Sequence, residues 1–220
     1  MTGHFVELFF LLDLAAFIAA VLMHLARRNK NLIRLYALQS VAVGSFLIAA
    51  GFAEGERSLI LVGVITLAIK AVAVPIFFSR LLQRFGTQAS ASSYLSTPMT
   101  LAVLMGLVLF AYSRVFLPLS VLLPQAVGSL SFNLAIIFAS IFLMINRKGA
   151  FTQMIGVLSL ENGIVLLGSF IGIEQPLALE IGIIFDITVW IAIGSAFIGM
   201  IHRQFGSLDT DELRNLTEED

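Results

Sequence analysis

Seven apolar runs, each near or above the roughly 20 residues a helix needs to cross a bilayer, dominate this chain of 220 residues. They are Phe5–Leu25, Leu32–Phe52, Ser58–Leu82, Pro98–Phe116, Val121–Ile145, Thr152–Gly172 and Pro176–Ile201. Hydrocarbon offers backbone N–H and C=O groups no water. A spanning segment must therefore close its hydrogen bonds within itself, as a helix, or with neighbours in a sealed barrel. Barrel strands would read as segments of about ten residues alternating in polarity, and these runs are too long and too uniform for that. The expectation is an all-α integral membrane protein with about seven transmembrane helices. Composition agrees: 59% of residues are hydrophobic and 12% charged, whereas a soluble domain carries about 25% charged residues. The third and seventh runs are long enough to tilt. The first starts at residue 5 with no basic leader and holds Glu7 and Asp13, so it reads as a retained helix, not a cleaved signal.

The short connections sort by charge. Arg27, Arg28, Lys30 and Arg34 follow the first run, Arg80 and Arg84 the third, Arg147 and Lys148 the fifth, and Arg203 and Arg214 the seventh. The other side carries Arg57 and Arg114, and ten basic residues against two place the N-terminus outside and the C-terminus in the cytoplasm. The remaining basic residue, Lys70, lies inside a run. From Gly206 to Asp220 the chain turns polar and acidic: a cytoplasmic tail, either solvated or a docking strip, in which Ser207–Leu216 suits a short capped helix. No internal repeat is visible, which argues against the inverted-repeat architecture of secondary transporters.

Several chemistries are excluded early. With no cysteine, the chain cannot hold an iron–sulfur cluster or use a thiolate. His4, His24 and His202 stand at or near run ends, so no midplane haem pair or metal cluster can be built. A net charge of −1 gives no footprint for nucleic acid. No phosphate-binding loop, dinucleotide fingerprint or Ser/His/Asp set appears. Nothing here equips the chain for bond-breaking chemistry.

What remains are charges in the wrong solvent. A charge at mid-bilayer costs about 2.5–3.5 kcal/mol on insertion scales, so such residues face a protein interior or a watery cavity. Asp13, Lys70, Glu161 and Asp186 lie near the middles of their runs. Glu7 and Glu180 lie nearer run ends. Lys70 is about 18 Å of helical rise into its run, a long way to snorkel. At 100° per residue it shares a stripe with Gly63, Thr66 and Ala73, and Pro75 leaves the Ala71 carbonyl without its helical partner, opening the helix beside the ammonium. Glu161 shares its face with Leu158, Val165, Gly168 and Gly172, with Asn162 about 100° around; it reads either as a titratable station or as protonated glue between helices. Asp186 has Gly182 one turn before and Trp190 one turn after, the indole walling the site or donating its N–H. Asp13 shares a face with Ala16, Ala20 and His24, and suits either proton transfer or a basic partner in another subunit. Burial disfavours charge and opposite charges restore it; groups held between the two can change protonation at modest cost. A chain of them with water between is a proton relay.

Four segments carry a family resemblance. Leu158–Leu166 (LSLENGIVL), Leu179–Ile187 (LEIGIIFDI) and His202–Leu216 (HRQFGSLDTDELRNL), with Thr66–Pro75 (TLAIKAVAVP), resemble component E of the bacterial hydrogenase-4 complex. The likeness runs over most of the chain and is best from Lys148 onward. The last three spans look like the K subunit of respiratory complex I and the C subunit of Mrp antiporters. The resemblance implies a division into a five-helix membrane region (1–145), K-like helices six and seven (146–205) and a polar cytoplasmic tail (206–220). It implies a non-catalytic membrane-arm subunit of a complex I-like nickel–iron hydrogenase of the formate hydrogenlyase type, in the bacterial inner membrane. Its partners would be antiporter-like subunits, with the nickel–iron centre and iron–sulfur clusters on other subunits and no cofactor in this chain. Glu161 would stand where the first K-subunit glutamate does, and Asp186, shifted by about a turn, where the second does. The proton path would then run through Glu161, Asp186, Lys70 and Asp13, with Asn162, Glu180, Pro75 and Trp190 in support.

Overall fold

The computed structural model describes residues 3–84, 92–116, 118, 127–170, 194 and 199. Among these residues the regular secondary structure is helical, and strand pairing is confined to isolated bridge residues at Arg28, Ser93, Arg147 and Gly149, with Ser93 paired to Arg147. The helices are α1 (Gly3–Leu25), α2 (Asn29–Glu54), α3 (Arg57–Thr66), a π-helical stretch (Leu67–Ala73), α4 (Val74–Arg84), α5 (Thr97–Ala111), α6 (Val127–Asn146) and α7 (Ala150–Phe170). Six helical segments are long and apolar enough to cross a membrane: Phe5–Leu25, Asn29–Glu54, Arg57–Gln83, Thr97–Phe116, Gly128–Asn146 and Phe151–Ser169. The first six expected spans thus have helical counterparts; the seventh, Pro176–Ile201, falls almost wholly outside the described residues.

Four helices close a ring: α1 packs on α2, α2 on α7, α7 on α6, and α6 back on α1. The α3–π–α4 rod leans on α2, and α5 leans on α6. Outward faces are apolar, as at Val64, Met105, Leu109 and Ile164, whereas Gln39, Ser40, Asn133, Ser140, Ser159 and Asn162 are buried. With lipid as the outer solvent, apolar side chains gain little by hiding, and polar ones must find partners inside.

Small residues set the closest approaches. A Cβ on Gly63 would lie 2.8 Å from the Gly44 carbonyl oxygen, and one on Gly156 would lie 2.6 Å from Met144 Cγ. Ser140 and Ser159 hydroxyls meet at 2.8 Å across the same α6–α7 seam. On α7 a close approach also occurs at Gly163, where a Cβ would meet Ile136 and Ile137.

The three basic connections converge at one end of the bundle. Tyr94 N–H donates to the Asn146 carbonyl (2.9 Å) and Lys148 N–H to the Ser92 carbonyl (3.3 Å), joining the α4–α5 and α6–α7 connections. The buried Arg147 adds the α1–α2 connection. Its Nη2 donates to the carbonyls of Met23, His24 and Ala26 at 2.7, 2.9 and 3.0 Å. Two of these belong to the last turn of α1 and have no partner within the helix, where a cation also complements the helix dipole. Burial lowers the proton affinity of the guanidinium, from a starting point so high that it stays charged. Nearby, His24 reaches the Ala139 carbonyl at 3.0 Å and stacks on Phe142, so this histidine ties α1 to α6.

Candidate functional site: a buried lysine–glutamate pair

Lys70 sits in the π-helical stretch. Proline at 75 lacks the N–H that an α-helix would spend on the Ala71 carbonyl, and the chain answers by widening its turns upstream. Val74 N–H bonds to the Ile69 carbonyl, five residues back rather than four. The widening also corrects the face. Thr66, Lys70, Val74, Phe78 and Leu82 are all buried, at strict steps of four. Four such steps would drift about 160° around an unbroken α-helix, so wider turns are needed to hold the stripe. Ala73, which α-helical spacing places beside Lys70, is exposed for this reason.

From this stripe the ammonium crosses to α7. Lys70 Nζ donates to Glu161 Oε1 at 2.7 Å and to Asn162 Oδ1 at 3.2 Å. The amide of Asn162 turns away and donates to Gln39 Oε1 (3.3 Å) and Ser40 Oγ (3.1 Å) on α2. Three helical elements are thus stitched by one contiguous polar cluster. Lys70 keeps 2% of its side-chain surface and Glu161 keeps 16%, so the lysine is sealed and the glutamate partly exposed. The lysine is thus held from two sides by acceptors, and the glutamate is the member of the pair that can meet a further group.

Sequence spacing found the members of this cluster unevenly. Lys70 and Glu161 are brought together, as two mid-span charges of opposite sign invite. Asn162, placed about 100° away from Glu161 on its helix, nevertheless shares the same ammonium, because Lys70 reaches between the two side chains. Gln39 and Ser40 escaped notice; an adjacent pair of polar residues midway through Leu32–Phe52 was the available signal. Asp13 is fully buried on α1 but makes no hydrogen bond to this cluster. Asp186, Glu180 and Trp190 lie outside the described residues. Among the described residues no group of three or more His, Cys, Asp or Glu side chains is placed to hold a metal ion.

No family model and no solved structure matches the chain. Among curated proteins it is 29% identical over 213 residues to the uncharacterized protein Rv0085 of Mycobacterium tuberculosis, covering 94% of this chain and 96% of that one. The likeness spans nearly the full length of both, and that protein's name assigns no activity.

Proposed function

We propose that this chain is a non-catalytic membrane-arm subunit of a complex I-like nickel–iron hydrogenase of the hydrogenase-4 or formate hydrogenlyase type. In it the Lys70–Glu161 pair helps move protons in step with electron transfer on partner subunits. The observation that supports this most is the pair itself: an ion pair at 2.7 Å, deep within two apolar helices, with its acidic partner left accessible. A buried pair is a poor device for stability alone, because desolvation cancels most of its attraction. The spaced motifs that resemble component E supply the redox context. The three basic connections, meeting at one end, favour a cytoplasmic face there, with the N-terminus outside, the K-like helices including Asp186 completing the path, and residence in the bacterial inner membrane.

A second reading, a pure assembly element, is favoured by the way Asn162 ties Gln39, Ser40 and Lys70 together. Gentle detergent extraction of the native membrane decides the context. Co-purification with nickel, iron–sulfur clusters and antiporter-like subunits is the expected result. Isolation as a single species overturns the reading, and co-purification with a nickel-free quinone-reducing module would move it to a respiratory or Mrp-type relative.

A further inference from the structure

The second acceptor of Lys70 is oriented from behind. An ammonium can only donate, so Asn162 must turn its carbonyl oxygen to Lys70 Nζ, at 3.2 Å. Its amide nitrogen is thereby turned to α2, where it meets two acceptors, Gln39 Oε1 at 3.3 Å and Ser40 Oγ at 3.1 Å. Gln39 must then offer its oxygen, and its Nε2 is left without a partner although the side chain is fully buried. Native interiors rarely leave such a donor unmet. The bonds therefore all run one way, from Lys70 through Asn162 to α2, and the unmet group falls at the far end. Turning the Asn162 amide over would set its NH2 against the ammonium, donor against donor.

We propose that Gln39 and Ser40 are positioning residues for the Lys70–Glu161 pair, holding the Asn162 amide with its oxygen on the ammonium. Their effect is on the charge-separated form. A carbonyl oxygen supports an ammonium more strongly than a neutral amine, and more so where water is scarce. α7 thus supplies both acceptors of Lys70, and α2 fixes the direction of one. Two acceptors for one amide make the hold redundant, so either can be lost before the amide is free to turn. The inference rests on the proton-moving role proposed above for its purpose, but not for its geometry.

The chain has three lysines, Lys30, Lys70 and Lys148. Full-length protein in detergent micelles, with nitrogen-15 in its lysine side chains, therefore gives few ammonium signals by magnetic resonance. The Lys70 signal is the one that Lys70→Met removes. Slow solvent exchange of its hydrogens is expected in the wild type. Gln39→Met combined with Ser40→Ala should speed that exchange about tenfold or more, as for the loss of one hydrogen bond to a charged group. Each change alone should do much less, and Gln39→Met with Ser40→Thr, which returns the hydroxyl, should restore slow exchange. Ser159→Ala, a hydrogen bond lost elsewhere on α7, should leave Lys70 unchanged, which separates positioning from general loosening. Asparagine labelling of the wild type, assigned with Asn162→Asp, does not depend on the α2 variants folding: both Asn162 amide hydrogens should be protected. An Asn162 amide that exchanges freely, or Lys70 exchange unchanged in the folded double variant, overturns the assignment. In the reconstituted complex the double variant should also lower the protons moved per electron. Faster Lys70 exchange with an unchanged ratio upholds the positioning and strikes the proton role instead.

Discussion

Lys70 and Arg147 are both cations with about 2% of their surface exposed, yet their surroundings differ in kind. Arg147 sits at the end of the bundle and donates to backbone carbonyls of the α1 terminus; Lys70 sits midway and donates to a carboxylate and an amide. A guanidinium facing carbonyl dipoles has nothing to exchange a proton with. An ammonium facing a partly exposed glutamate has a titratable neighbour. Burial of a charge therefore says little by itself: the identity of the acceptor separates a cation held by backbone dipoles from one held by a titratable side chain.

The comparison breaks most visibly at the arginine. Arg147→Met removes three charge-assisted bonds, stranding the carbonyls of His24 and Ala26 and leaving that of Met23 with only the Ala26 N–H at 3.4 Å, with an expected loss of about 4 kcal/mol or more. Thermal loss of the monodisperse peak in detergent would report it. Arg147→Lys should recover part of that loss, since one nitrogen makes all three contacts and an ammonium offers three donors on a stem one bond shorter. At the pair, Lys70→Met or Glu161→Leu alone leaves an uncompensated buried charge and should cost about 3–5 kcal/mol in the same assay. Combining them should return stability to near the wild type, because apolar replacements of a buried pair are commonly neutral or better. If each single variant is harmless, the pair is not buried as described. Smaller still, Gly63→Val should cost about 1–3 kcal/mol by forcing α3 from α2, and Ser159→Ala about 0.6 kcal/mol, the mean for hydrogen bonds between membrane helices.

Much of this architecture was legible in the amino-acid string, and the reason is the solvent. A lipid-spanning helix announces itself by length, so Phe5–Leu25 and its successors needed no tertiary information. Depth was also legible, since Lys70 and Glu161 lie near the centres of their runs. Pairing was not: periodicity assigns a residue to a face, but which faces meet depends on helices 91 residues apart. Pro75 signalled an opened helix, but not that wider turns would carry Val74 inward and Ala73 outward. Arg147 was read as one of many loop charges, because composition cannot distinguish a connection folded under the bundle from one in water. Asn133 and Gln39 went unweighed, as uncharged polar residues within apolar runs.

Proton counting in the reconstituted complex tests the pair most directly, using Lys70→Met combined with Glu161→Leu. This double variant should assemble at wild-type abundance and keep its electron transfer, while protons moved per electron fall well below the wild-type ratio. An unchanged ratio in a fully assembled, active complex would contradict the account and leave the two side chains as helix glue.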